Sequence, residues 1–194
     1  MVAAIVKPGR IAYIAGMAVR DIIIHPDPRL KKVCAPVEEV DERIRRLADD
    51  MLETMYAAPG IGLAAPQIGV TRRLIVMDCA GKDEPPRPHV LVNPEIVWRS
   101  EETNVHEEGC LSIPGEYAEV ERPAEVRVRY LDRDGQAQER HFTGLEATCV
   151  QHEIDHVNGR LFIDYLSPVR RRLITEKMKK LKRERARGKA KAAG

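Results

Sequence analysis

The segment from residue 145 to residue 158 constrains the fold more than any other part of this sequence. Its spacing of apolar residues is helical, and Gly159 is the kind of residue at which such a helix ends. Successive residues of a helix are about 100° apart around its axis, and two opposite sides of this helix carry no acidic or basic side chain other than histidine. One side consists of Leu145, Cys149, His152 and His156, and the other of Val150, Ile154, Val157 and Leu161. A helix with both sides suited to burial must be covered on both, so we expect a central helix.

The other patterns indicate mainly antiparallel strands around that helix. Residues 41–60 predict a first helix with Asp41 as its N-cap. β-Branched and alternating residues predict strands at 72–79, 89–98, 124–132 and 136–144, of which the last two form a hairpin. The expected fold class is therefore α+β, with antiparallel β-sheets and a hairpin around a central helix bearing an HExxH pattern, and a basic helix at the C-terminus.

Length and cysteine content restrict the kind of protein. The chain has 194 residues, which suits one domain with a substantial core, and no apolar run approaches the roughly 18 residues of a membrane span. Four cysteines without CxxC spacing are too few for a disulfide scaffold and favour a reducing compartment. We therefore expect a cytoplasmic protein with no membrane partner.

The net charge of +2 conceals a strong asymmetry. Residues 168–194 contain twelve Lys and Arg against two Glu, whereas the remainder is acidic. A helix capped by Ser167 can continue at least to Arg187, with Gly188 as a natural stop. We expect three parts: an N-terminal extension at 1–16, a catalytic domain at 17–167, and a basic C-terminal helix or tail at 168–194. The extension is either a weak targeting segment or, as we favour, a stretch upstream of a functional start at Met17.

Two histidines of the central helix suggest a metal site. His152 and His156 stand one turn apart, so both imidazoles can point at one ion, and Glu153 lies beside it. The alternative is a pair of core histidines with ordinary hydrogen-bond partners. A hydrolytic metal site needs a third protein ligand and one open position.

Three positions compete for the role of third ligand. The extended HExxH pattern would place a histidine at 162, but the residue there is Phe162. Glu176 follows His156 by twenty residues, yet it lies in a basic segment that is suited to solvent. Cys110, in the tight segment 107–117, supplies a thiolate that suits a tetrahedral Cys/His/His set, and it is the better candidate.

Three motifs occur in order along the chain: GIGLAAPQIG at 60–69, EEGCLSIPGEY at 107–117 and QHEIDHVNGRLF at 151–162. Together they resemble the peptide deformylase family over roughly residues 18–168. The resemblance implies a metal-dependent hydrolase that removes the N-formyl group from formyl-methionine on newly made polypeptides and releases formate. It also implies antiparallel strands around a helix bearing HExxH, in agreement with the pattern analysis.

The resemblance carries roles onto individual positions of this sequence. It implies Cys110, His152 and His156 as ligands of one divalent ion, Fe²⁺ in cells, with Zn²⁺, Ni²⁺ or Co²⁺ possible in the purified protein. Glu153 is implied as the general base and acid. The remaining implied catalytic groups are donors to the developing oxyanion, namely the Gln67 side chain and the backbone N–H of Leu111.

The same motifs suggest how a substrate is held. Gly62 and Gly109 are expected to pair with the substrate main chain as an added strand would. A pocket for an unbranched thioether side chain is expected to be lined by Ile61, Leu145 and Cys149. Tyr117 stands where some family members carry a basic residue, which leaves contacts beyond the first substrate side chain open.

The expected partners are N-formylmethionyl nascent peptides and, through residues 168–194, ribosomal RNA. The density of basic charge and the family's ribosome association favour RNA over a merely solvated helix. Two alternatives from other classes remain at this point. One is a zinc endopeptidase with Glu176 as third ligand, and the other is a non-enzymatic RNA-binding protein built on the basic segment.

Overall fold

Helices and strands are described here for residues 18–192 of a computed structural model, so the proposed extension at 1–16 and start at Met17 lie outside the described residues. Within this range the helices are α1 (Glu42–Ala57), α2 (Gly144–Val157) and α3 (Pro168–Ala192). The strands are β1 (Gly62–Ala64), β2 (Leu74–Met77), β3 (His89–Arg99), β4 (Thr103–Cys110), β5 (Ile113–Pro123), β6 (Glu125–Leu131) and β7 (Ala137–Thr143). Short 3-10 helices lie at Pro28–Lys31, Ala65–Ile68 and Phe162–Tyr165.

Five strands form one antiparallel sheet in the order β1-β2-β3-β6-β7, and β4 and β5 form a separate antiparallel hairpin. The predicted turn between β6 and β7 is confirmed. Gly135 has a φ of +79° there, and its N–H donates to Asp132 O at 3.0 Å. The expected α+β class is therefore confirmed, with β1 as an edge strand of the larger sheet.

Helix α1 forms where the sequence predicts it. The Asp41 carboxylate accepts a hydrogen bond from Ile44 N at 2.9 Å, which satisfies one of the free N–H groups of the first turn. The inner side of the helix buries Met51 and Met55 against the apolar side chains of β1 and β2. The glycine-rich segment at 60–69 begins three residues after this helix ends. The packing of α1 therefore fixes the start of that segment to the core.

Helix α2 lies at the centre, as its pattern predicts. One side packs Val150, Ile154 and Val157 into a cluster with apolar residues of β2, β3, β6 and β7. The other side turns His152 and His156 toward the β4–β5 hairpin, and both are buried. The expectation that Leu145 belongs to a buried side is wrong: its side chain is 48% exposed, because it stands in the first turn at the surface.

The β4–β5 hairpin was not predicted from the sequence. Its outer side is exposed and rich in charged residues, which hides the alternation of apolar and polar residues by which a strand is predicted. Ala118 and Val120 are among the few buried apolar side chains in β5. The two strands are joined by the two residues Leu111 and Ser112. The N–H of His25 donates to Ser112 O at 2.9 Å and holds this turn against the body of the protein.

Helix α3 begins in the core and leaves it. Ser167 caps its first turn by accepting from Arg170 N at 3.3 Å. Ile174 and Met178 are each 3% exposed and pack with core residues of the β5 strand and the 3-10 helices. The expected stop at Gly188 is wrong, because one glycine costs a helix only about 1 kcal/mol and Lys and Ala follow it. No helix in residues 18–192 is long and apolar enough to cross a membrane.

Candidate metal centre

A group of side chains that could hold a metal ion lies between α2 and the β4–β5 hairpin. Cys110 ends β4, and His152 and His156 stand one turn apart on α2. One ligand atom from each lies within 4.8 Å of the others, and Cys110 Sγ is 3.3 Å from His156 Nε2. The structure thus brings a cysteine together with two histidines that lie more than forty positions further along the sequence.

A buried carboxylate orients the first histidine. Glu108 Oε2 lies 2.8 Å from His152 Nδ1, so the imidazole donates from Nδ1 and keeps Nε2 for an ion. Arg122 donates two hydrogen bonds to the same carboxylate, at 2.5 Å and 3.0 Å. Burial alone would raise the pKa of Glu108, but the hydrogen bonds from His152 and Arg122 outweigh it and bring this pKa to about 2.

Arg122 also connects the hairpin to α2. Its guanidinium donates to Asp155 Oδ2 at 2.8 Å, and the Tyr165 hydroxyl donates to the same oxygen at 2.8 Å. Sequence reasoning missed Glu108, Arg122 and Asp155. Of these three, only Glu108 could have been found from the sequence. It precedes Cys110 by two residues, and residues two apart in a strand lie on the same side of the sheet.

Glu153 presents a buried carboxyl group beside this cluster. Its side chain is 4% exposed, and its Oε2 has no hydrogen-bond partner among the described residues. Burial raises the pKa of Glu153 to about 7. A Cβ on Gly62 would lie 2.3 Å from Glu153 Oε1, so only glycine at this point of β1 allows the strand and the carboxyl group to approach.

Gln67 is held with its amide beside Cys110. Its Oε1 accepts from Ala64 N at 2.8 Å, which fixes the side chain within the glycine-rich segment. Its Nε2 donates to Cys110 Sγ at 3.5 Å and to Ser112 Oγ at 3.3 Å. Leu111 lies between these two acceptors in the hairpin turn, so both predicted oxyanion donors stand next to the metal-ligand group.

The residues expected to hold substrate divide into two sets. Cys149 is 5% exposed and its thiol donates to Ile61 O at 3.5 Å, whereas the Ile61 and Leu145 side chains are 41% and 48% exposed. Of these three, Cys149 is therefore buried, whereas the side chains of Ile61 and Leu145 reach solvent. Gly109 has a different neighbour: a Cβ there would lie 2.6 Å from the ring of Tyr117, so the missing side chain leaves room for that ring.

Glu176 and Phe162 do not join the metal-ligand group. Glu176 is exposed on α3 and accepts from Lys179 Nζ at 2.8 Å. The Phe162 ring stacks on His152, with the ring centroids 6.3 Å apart. Phe162 therefore covers one face of an imidazole at the position where the extended HExxH pattern would have supplied a ligand.

Comparison with known proteins decides the family. Residues 19–172 match the polypeptide deformylase family. This chain belongs to the peptide deformylase family. A relative from Mesorhizobium japonicum is 60% identical over 173 residues, covering 89% of this chain and 98% of that protein. Peptide deformylases are metalloenzymes that remove N-formyl groups from nascent peptides, so the chain is a hydrolase.

Solved peptide deformylases share the fold. The crystal structure from Legionella pneumophila is 50% identical, with a TM-score of 0.80, and covers 88% of this chain and 99% of its own. The crystal structure from Ehrlichia chaffeensis in complex with actinonin is 44% identical, with a TM-score of 0.83, and the match covers 86% of this chain and 99% of that one. Family membership overturns the endopeptidase and the non-enzymatic RNA-binding alternatives.

Proposed function

We propose that the site between α2 and the β4–β5 hairpin hydrolyses the formyl group of N-formylmethionyl nascent peptides with one bound divalent cation. The observation that carries the proposal is the meeting of three donor atoms within 4.8 Å beside a buried carboxyl group, Glu153. Cys110, His152 and His156 are the proposed ligands. These three residues would hold the cation and would leave a coordination position for water or substrate.

The side chains present fit such a cation. A thiolate and two imidazoles suit first-row divalent metals, and the Glu108 carboxylate keeps His152 Nε2 available for coordination. We propose Fe²⁺ in cells, with Zn²⁺, Ni²⁺ or Co²⁺ able to occupy the same ligands in purified protein. When bound, the cation polarises the formyl oxygen and acidifies a water molecule.

Glu153 is the proposed proton carrier. A carboxyl group with a pKa of about 7 can accept a proton at neutral pH and return it, as the reaction requires. Attack by water on the formyl carbon releases a proton to Glu153, and the departing amine takes that proton as the C–N bond breaks. Burial and the neighbouring Gly62 hold the carboxylate in one place throughout both steps.

Gln67 and Leu111 are the proposed donors to the oxyanion. The Gln67 amide is fixed through its oxygen, so its nitrogen is positioned before substrate arrives and costs little reorganisation. The backbone N–H of Leu111 belongs to the turn that directly follows Cys110. Each such donor stabilises charge that exists only in the transition state, typically by about 3 kcal/mol.

The proposed substrate cleft runs along an edge strand. Among the described strands β1 pairs with β2 alone, so Gly62 can offer backbone groups to a peptide that adds alongside it. We propose that Gly109 of β4 pairs with the substrate main chain as well. We propose that the methionine side chain enters beside the metal, where Cys149 forms the base and Ile61 and Leu145 the rim. An unbranched thioether suits a narrow apolar pocket.

Formate release from formyl-Met-Ala, measured on a sample whose metal content is also determined, tests the proposed site and its metal. We expect turnover in proportion to bound metal, and the highest turnover in protein purified anaerobically with Fe²⁺. Loss of all metal to a chelator should stop formate release, and readdition of Fe²⁺, Ni²⁺ or Co²⁺ should restore it. Undiminished turnover after complete metal removal would contradict the proposal.

We further propose that α3 binds ribosomal RNA and that the enzyme therefore acts in the cytoplasm, where chains emerge. Its early basic residues are engaged with the body, since Lys177 donates to Glu116 at 2.9 Å and Lys182 lies 3.7 Å from Asp27. The later described turns project Arg183, Arg185 and Arg187 into solvent. The proposed binding surface is therefore the far end of α3 rather than its whole length.

Neutralising this far end should weaken ribosome binding without disturbing the fold. Truncation after Ser167 would also remove Ile174 and Met178 from the core, so substitution is the sharper test. We expect glutamine at Arg183, Arg185 and Arg187 to reduce co-sedimentation with ribosomes at low salt. The salt dependence of log K should become shallower by about 0.9 for each phosphate that is no longer neutralised.

The matched control places glutamine at three exposed basic residues of the body, Lys32, Arg43 and Arg99, which removes the same charge elsewhere. Both triple variants should turn over a short formyl peptide as the parent does. Equal loss of co-sedimentation in the two variants would show that only overall charge matters. Unchanged co-sedimentation of the α3 variant would leave α3 as a solvated helix.

A further inference from the structure

A short segment ahead of the first 3-10 helix joins the two parts of the chain that carry the proposed oxyanion donors. The N–H of Ile23 donates to Gln67 O at 2.8 Å, and the N–H of His25 donates to Ser112 O at 2.9 Å. Gln67 carries one proposed donor in its side chain, and Ser112 directly follows Leu111, whose N–H is the other. The backbone of one segment therefore fixes both donor-bearing parts relative to each other.

The ring of His25 attaches this segment to α3. Its Nε2 lies 3.0 Å from Thr175 Oγ1, and the Thr175 hydroxyl donates its only proton to Arg171 O at 2.9 Å. The histidine is therefore the donor in the first contact, which places its proton on Nε2. Ile174, the neighbour of Thr175, is 3% exposed, so this turn of α3 is packed into the core and gives the ring a fixed support.

A histidine is costly at this position if it serves only to fill space. The residue is buried, and its Nδ1 has no hydrogen-bond partner among the described residues. A buried acceptor without a partner lowers stability, so an apolar side chain would pack at a lower cost. Burial lowers the pKa of His25 to about 4, so the ring is neutral at working pH. What it supplies is a hydrogen bond of fixed direction to Thr175.

We propose that His25 is a positioning residue for hydrolysis. Through its bond to Thr175 it holds the segment that sets the distance between the two proposed oxyanion donors. This role rests on the proposed function, in which the Gln67 amide and the Leu111 N–H meet the oxyanion. The Gln67 amide also lies 3.3 Å from Ser112 Oγ, but one of its N–H groups faces the substrate during the reaction, whereas the backbone bridge persists.

Replacing His25 by alanine in the full-length enzyme loaded with Ni²⁺ should lower kcat for formyl-Met-Ala by about 10-fold to 10²-fold. Outright removal of one oxyanion donor costs more, about 10²–10³-fold. KM should change little, because the donors act on charge that is present only in the transition state. His25→Gln should recover most of the loss, because its amide nitrogen replaces Nε2 as the donor. Equal losses in the two variants would contradict the role of this hydrogen bond.

Thr175 and Met178 provide the matched variants on α3. Thr175→Val removes the oxygen that accepts from His25 but keeps the shape of the side chain, so kcat should fall as in His25→Ala. Thr175→Ser keeps the hydroxyl and should turn over as the parent does. Met178→Ala removes buried packing, so it should lower Tm without lowering kcat below that temperature. A fall of kcat in Met178→Ala equal to that in Thr175→Val would overturn the positioning role.

Backbone hydrogen exchange gives a readout that needs no turnover. In His25→Ala and Thr175→Val, the amides of Leu111 and Ser112 should exchange faster than in the parent, because the hairpin turn loses a fixed support. In Thr175→Ser they should exchange at the parent rate. Parent-like exchange in His25→Ala and Thr175→Val would overturn the proposal, even if kcat falls.

A double-mutant cycle with Gln67→Ala separates this role from the proposed function. The loss caused by His25→Ala should be smaller in the Gln67→Ala background, because one of the donors that it positions is already absent. An equal loss in both backgrounds would overturn the positioning role. A parent without deformylase activity, or a Gln67→Ala enzyme as active as the parent, would instead contradict the proposed function, and hydrogen exchange would still show whether His25 holds the turn.

Discussion

Replacing Glu153 by alanine should lower the turnover of formyl-Met-Ala by about 10²–10⁴-fold while the protein keeps its full complement of metal. The carboxyl group is buried, and burial raises its pKa to about 7. One of its oxygens has no hydrogen-bond partner among the described residues, so the group is placed for proton transfer. It is not one of the three proposed ligands. Formate release and metal analysis on the same sample measure the two outcomes.

Two further variants make the Glu153 result specific. Glu153→Gln keeps the size of the side chain but cannot carry a proton, so it should be as inactive as Glu153→Ala. Glu176→Gln should leave both turnover and metal content unchanged, because Glu176 is exposed on α3 and bonded to Lys179. Substantial turnover by Glu153→Gln, with metal bound, would assign the proton transfer to another group.

Replacing Cys110 by alanine should remove metal and activity together. Two histidines remain, and a site with two protein ligands cannot reproduce the three-ligand arrangement of hydrolytic metal centres. We therefore expect bound metal to fall from about one ion per chain to nearly none. Metal analysis after dialysis measures the loss, and circular dichroism shows whether the fold persists without the ion.

Cys34→Ala is the matched control for the loss of a thiol. Cys34 is buried in the core cluster on the opposite side of α2, and its N–H donates to Val157 O at 2.8 Å. Its substitution should leave metal content and turnover near those of the parent. Full metal occupancy in Cys110→Ala would show that another residue completes the ligand set.

Local patterns in the sequence determined most of the secondary structure. Asp41 and the apolar spacing behind it were sufficient for α1, because a side-chain cap and one packed face stabilise a helix locally. The turn before β7 was also predictable from the sequence. Its glycine, Gly135, adopts a positive φ, which glycine tolerates better than other residues. Three motifs, taken in order, indicated the family and with it the chemistry.

The β4–β5 hairpin shows where local pattern fails. Only one of the eight side chains of β4 is buried, so its sequence shows no alternation of apolar and polar residues. The strand forms because β5 pairs with it. The exposed position of Leu145 was missed for a related reason: helical spacing gives a direction around the axis but not the depth of each turn in the protein.

The sequence by itself determined which residue types could form a metal centre, because HExxH sets two imidazoles one turn apart on any helix. Only the tertiary structure decided what surrounds them. Glu108 orients His152 and Arg122 binds Glu108, through contacts between elements that are distant in the chain. The periodicity of a sequence predicts which side of one helix or strand is buried. Contacts between distant elements depend instead on how those elements pack together, and no local pattern contains that information.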